Sequence, residues 1–98
     1  MTTETMPTFF ELIEKELVHS LNFPKLDVLE SKELKRHRIA GLTRALALGN
    51  IEHIKTKIYF EDSTSKKMVE TTIWGITDDK VILKKGAIIP INRIYYSQ

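Results

Sequence analysis

KMVETTIWGITDDKVILKKGAIIPINRIYYS, residues Lys67–Ser97, decides the fold. Val69, Thr71 and Ile73 alternate with Glu70, Thr72 and Trp74, the period-2 pattern of a half-buried strand running over about 67–77. Gly75 lies inside it, where a lone glycine marks a bend, a bulge or a close backbone crossing. Thr77-Asp-Asp-Lys80 has turn chemistry. Val81–Leu83 is a short strand, and Lys85-Gly86 turns the chain again, with Gly86 at positive φ. Ala87–Ile89 follows, Pro90–Arg93 forms one 3₁₀ turn, and Ile94–Tyr96 closes the meander.

Upstream, Ile54, Thr56, Ile58 and Phe60 alternate with Lys55, Lys57 and Tyr59, a further strand ending at the polar loop Glu61–Ser65. Two helices are expected before it. Thr8 and Glu11 have the spacing of a capping box, and Phe10, Ile13, Leu17 and Leu21 follow a helical stripe over 8–22. Pro24 ends that helix. A connector with Leu26, Val28 and Leu29 partly buried leads to a second helix, capped by Ser31 and stopped after Leu48 by Gly49-Asn50. Leu34, Ile39, Leu42, Ala45 and Leu46 share its apolar arc, into which Lys35 and Arg38 intrude. Lys32, Arg36, Thr43 and Arg44, with small Ala40 and Ala47 between, lie on the other side. The expectation is α+β: two N-terminal helices (a cap over 1–50) followed by a five-stranded, strongly bent antiparallel barrel over 51–98, within one domain.

The glycine-bent Ile73-Trp-Gly-Ile76, the acidic turn and the ending Ile88-Ile-Pro-Ile-Asn-Arg-Ile94 resemble the Sm-like and SH3-like small barrels over residues 52–98. The resemblance implies a curled sheet and, through the Sm-like branch, RNA binding. Sm-like proteins bind RNA with an Asp/Asn turn and a basic–Gly pair in the last hairpin. Here no Asn follows Asp78-Asp79, and no Gly follows Arg93.

The 98 residues hold one core, with 42% apolar and 29% charged side chains. No apolar run approaches the ~20 residues of a membrane span, and the start lacks a signal-peptide pattern. Cysteine is absent, so no disulfide framework exists and the cytoplasm is the expected setting. Net charge is +2, unevenly spread: residues 1–30 carry six acids and two bases (−4), and 31–56 carry six bases and two acids (+4). That contrast fits either a polyanion site or two halves that attract each other, the second being commoner.

His19, His37 and His53 fall in different elements, and no HExxH, P-loop or nucleophile elbow occurs. His19 suits a helix C-terminus and His53 an exposed strand start. Asp78-Asp79 reads as a turn, not a metal site. Neither an enzyme nor a cofactor is expected. Two functions remain. The first is a module binding a protein partner, or a second copy, through a sheet edge or the first helix. The second is single-stranded RNA binding through Lys32, Arg36, Arg44, Lys55, Lys57 and Arg93, with Trp74 or Tyr59 stacking. Each has a plainer reading: Trp74 as a core aromatic beside the bend, the lysines as solvated faces that keep strand edges from mispairing. Tyr95 and Tyr96 are expected to face opposite ways.

Overall fold

The computed structural model of the chain describes residues 4–98. Residues 1–3 of the expected cap lie outside them. The strands are β1 (Glu11–Leu12), β2 (Thr56–Glu61), β3 (Lys66–Thr71), β4 (Ile73–Ile76), β5 (Lys80–Leu83), β6 (Ile88–Pro90) and β7 (Ile94–Ser97). They form a four-stranded sheet, β1-β3-β2-β7, and a three-stranded sheet, β4-β5-β6. Helix α1 (Lys32–Glu52) is the one α-helix among the described residues, and short 3₁₀ segments cover Lys15–Ser20 and Ile91–Arg93.

The expected five-stranded SH3-like/Sm-like barrel is therefore corrected to two separate sheets. The break is at Thr72. Its carbonyl accepts from the N–H of Lys84, the residue that follows β5, at 2.9 Å, so the long strand expected over 67–77 changes sheets there and does not curl continuously. Register also slips between Ile73 and Gly75, leaving Trp74 as a bulge beside the glycine.

Only one of the two expected helices forms. The 8–22 segment has extended backbone at Glu11–Leu12, which pairs parallel to Lys67–Met68, and then the 3₁₀ helix. Ile13 N–H donates to Met68 O at 3.0 Å. Without β1 that side of β3 would be a bare strand edge, and covering it overrides the local helical pattern. The capping box is absent: the Glu11 carboxylate accepts instead from Ser65 Oγ at 3.3 Å. Of the expected stripe Phe10, Ile13 and Leu21 are half-buried and Leu17 is exposed, while Val18, expected with Phe9 and Leu12 to widen it, is fully buried.

The helix α1 follows its sequence more closely. Ser31 Oγ accepts from Leu34 N–H at 3.2 Å, the cap its side chain promised. The buried face is Arg38, Leu42, Ala45 and Gly49, so Arg38 belongs to the inner arc while Ile39 is exposed. Its guanidinium makes this possible by pairing with both Asp27 oxygens at 2.9 Å and with Ile94 O at 3.0 Å. Gly49 does not stop the helix. It lies against β4, and the helix runs one turn further to a left-handed cap at His53 (φ 57), whose N–H donates to Gly49 O.

Both sheets and α1 share one core. The inward residues Ile58, Phe60, Val69, Ile73, Val81, Leu83, Ile89 and Ile94 line it, with clean alternation along β2 and β5 and none at the start of β7, where Ile94 and Tyr95 are both buried. Gly86 has the positive φ (92) expected of it, and Lys85 (φ 70) is left-handed as well. In the connector Leu29 is buried but Leu26 points out to solvent. The backbone there is held instead, by Arg93 donating to Leu26 O and Asn92 O accepting from Val28 N–H.

Candidate functional site

Of the six basic residues expected to meet a polyanion, Arg44 and Lys55 come together. They stand at a hollow of about 90 Å³ between the last turns of α1 and the end of β7, walled by Gly41, Ala45, Leu48, Ile54 and Gln98. The extra helical turn beyond Gly49 leaves Ile51 78% exposed, three residues along from Leu48 and so on the same side of the helix, outside the lining of the hollow. The hollow exists because α1 lies close on β7: a methyl at Gly41 would sit 3.1 Å from Ser97 Oγ. Lys57 and Gln98 exchange both backbone hydrogen bonds, so the neighbouring Ser97 turns its own N–H and C=O away from β2, toward α1. The helix thereby covers the edge of β7 and leaves a depression in which Ala45, Leu48 and Ile54 stand beside two cations and the polar Thr56, Ser97 and Gln98.

The other expected residues lie elsewhere. Lys32 and Arg36 are exposed on α1, but Lys32 is twelve residues, about 18 Å, from Arg44. Lys57 faces solvent opposite Glu70 on β3. Arg93 is only 7% exposed and is structural: Nε donates to Glu61 O at 3.0 Å and Nη1 to Leu26 O at 2.6 Å. It ties the connector to β2 and presents nothing to a phosphate. Trp74 is 55% exposed on the second sheet, not in the core.

Tyr59 is occupied by its own neighbours. It stacks on Tyr96 with ring centroids 4.4 Å apart, and Phe10 stands edge-on to Tyr59, Tyr95 and Tyr96. Tyr95 and Tyr96 thus meet the same ring, against the expectation that they face opposite ways. The register between β2 and β7 skips Tyr95, and this bulge swings both tyrosines toward Phe10. Burial and the Glu61 carboxylate, which accepts from Tyr95 Oη at 2.5 Å, push the Tyr95 phenol upward.

The three histidines are exposed and in separate elements. Among the described residues no three His, Asp or Glu side chains stand close enough to hold a metal, and no helix is long and apolar enough to cross a membrane. Ile51 and the outward face of Leu48 escaped the sequence analysis, and Ile54, expected as a half-buried strand residue, is 43% exposed just ahead of β2. The signal for Leu48 and Ile51 was their spacing, Leu48-x-x-Ile51, which continues the helical period past Gly49. Compared with known proteins, the chain matches no family model, no curated protein and no solved structure.

Proposed function

We infer that this chain is a non-catalytic docking module whose α1 end and neighbouring β7 hold an apolar, acidic segment of a protein. The observation that carries it is the hollow itself, in which the partly exposed Leu48 and Ile54 stand together with Arg44 and Lys55. Apolar side chains grouped around a depression and rimmed by charge mark interaction surfaces, whereas single exposed ones need no explanation. At about 90 Å³ the hollow is well below the several hundred Å³ of small-molecule sites and is on the scale of a single side chain. Its lining sets Ala45, Leu48 and Ile54 beside Thr56, Ser97 and Gln98 and holds no aromatic ring, which suits a peptide better than a base, since bases stack on aromatic rings. The cytoplasm is the setting that goes with a cysteine-free chain.

Panning random linear peptides displayed on phage against the immobilised protein tests this. Enriched peptides should alternate apolar residues with Asp or Glu, and should fail to bind an Arg44→Glu/Lys55→Glu/Ile51→Lys variant. Equal recovery on the wild type and on that variant overturns the reading.

One observation favours single-stranded RNA as a second ligand: Lys32, Arg36 and Arg44 are all exposed on α1, with small Ala40 and Ala47 also exposed between them. A fluorescence titration with single-stranded RNA at low salt decides it. Binding that weakens with salt and is lost in Lys32→Glu/Arg36→Glu supports it, and no binding removes it.

A further inference from the structure

The chain carries a second exposed surface that complements the α1 end, and it lies at the opposite margin of the same sheet. Strand order β1-β3-β2-β7 puts Glu11–Leu12 at one edge and β7 with α1 at the other, three strand spacings or about 14 Å away, while the ring of Phe10 reaches back over the sheet to Tyr59, Tyr95 and Tyr96. In the segment 8–17 Phe9 is 81% exposed, Leu12 68% and Leu17 53%. Glu11, Glu14 and Glu16 are exposed among them. Residues 8–17 contain those three acids and one base, Lys15, a net −2; residues 44–57 contain Arg44, Lys55 and Lys57 against Glu52, a net +2. Lys15 is already engaged by Glu16 at 3.2 Å.

The backbone at this margin is also open. Because Ile13 N–H donates inward to Met68 O, the intervening Leu12 turns its N–H and C=O away from β3. The acidic and basic segments cannot satisfy each other within one copy, since the sheet stands between them. Between copies they can.

We propose that the chain self-associates head to tail, with the acidic, apolar margin Thr8–Leu17 of one copy seated on the basic, apolar α1 end of the next. This names the occupant of the surface inferred above and rests on that reading. The two contacting surfaces differ, so the contact is heterologous and repeats into a ring or an open chain of copies, not a two-fold dimer. Leu12 or Phe9 enters the hollow between Leu48 and Ile54, and Glu11 and Glu14 meet Arg44 and Lys55. The charge pairs orient the contact and are weakened by salt, while the apolar side chains supply its persistence.

Sedimentation velocity over a concentration series tests it with three proteins: wild type, Arg44→Glu/Lys55→Glu, and Phe9→Asp/Leu12→Asp. All the altered side chains are exposed, and circular dichroism melts verify folding. The wild type should grow past a dimer with rising concentration, less so at high salt. Each variant alone should stay monomeric. An equimolar mixture should form a one-to-one pair and nothing larger, because the first variant keeps a good margin, the second keeps a good α1 end, and the remaining two surfaces repel. A wild type that stays monomeric at every concentration overturns the proposal, as does a mixture that fails to pair or a variant that still assembles alone. A strict monomer that nonetheless selects acidic, apolar peptides sinks self-association and leaves the docking surface standing.

Discussion

Asp62 shows how much one residue organises here. It is 3% exposed, and its carboxylate accepts from Thr64 N–H, Ser65 N–H, Thr64 Oγ1 and Lys67 Nζ, closing the loop between β2 and β3. Burial pushes the carboxyl upward, but these donors outweigh it and hold it down to about 2 from an ordinary 3.8. A folded value below the unfolded one means the stabilisation is complete above the unfolded value and is lost as pH falls through the folded one. About 2 kcal/mol of stability should therefore drain away between pH 4 and pH 2. Asp62→Asn should flatten that part of the pH–stability curve measured by urea unfolding. Lys67→Met should cost about 3 kcal/mol by leaving the carboxylate buried and unpaired by charge. Gly49 is the other residue whose identity is fixed by contact. A methyl there would sit 2.9 Å from Thr72 Cγ2, a buried branched side chain with little room to yield. Alanine gains about 1 kcal/mol of helix propensity, yet Gly49→Ala should still melt lower, and Gly49→Leu should cost at least 2 kcal/mol.

At the scale of elements, β1 is the least secured. It contributes two residues and is anchored through Ile13 N–H. Ile13→Pro removes that donor and should release β1 from β3, raising amide exchange at Met68 while the β2/β3 ladder, Lys67 included, stays protected. The connector from Asn22 to Glu30 is held from the other side by Arg93 and by the Asp27–Arg38 pair. Burial pushes the Asp27 carboxyl up, but Arg38 and the Leu29 N–H more than offset this and keep it below its usual range. Arg93→Met preserves much of the apolar stem but strands Glu61 O and Leu26 O. It should destabilise by about 2 kcal/mol in thermal or urea melts, with no effect on any charge-dependent binding at the α1 end.

At the scale of the whole molecule, the division of charge is the feature with consequences. The margins of the four-stranded sheet carry opposite charge and unburied apolar side chains, so reversing one margin should matter far more than reversing an equal number of charges elsewhere. Lys32→Glu/Arg36→Glu, which changes as much charge as Arg44→Glu/Lys55→Glu, should leave the concentration dependence of sedimentation unchanged. If the two pairs act alike, net charge and not a located surface governs association.

The sequence by itself determined the elements whose reasons are local. Ser31 starts α1, the Thr77–Lys80 and Lys85-Gly86 turns fall where their side-chain chemistry puts them, and the alternation in Thr56–Phe60 sends Ile58 and Phe60 inward, because caps, turns and pleats depend on neighbours a few residues away. Arg44 and Lys55 were legible as exposed cations but not as a pair, and Arg93 gave no sign that its guanidinium would be spent on two backbone carbonyls. Only the tertiary structure decided that Glu11–Leu12 is strand and not helix, that the chain changes sheets at Thr72, and that α1 passes Gly49 to expose Ile51. Each of those outcomes turns on a group distant in the chain: an open edge on β3, the amide of Lys84, the methyl of Thr72. A pattern read along the chain carries propensity, and propensity amounts to less than about 1 kcal/mol per residue, so one satisfied strand edge or one close backbone approach is enough to overrule it.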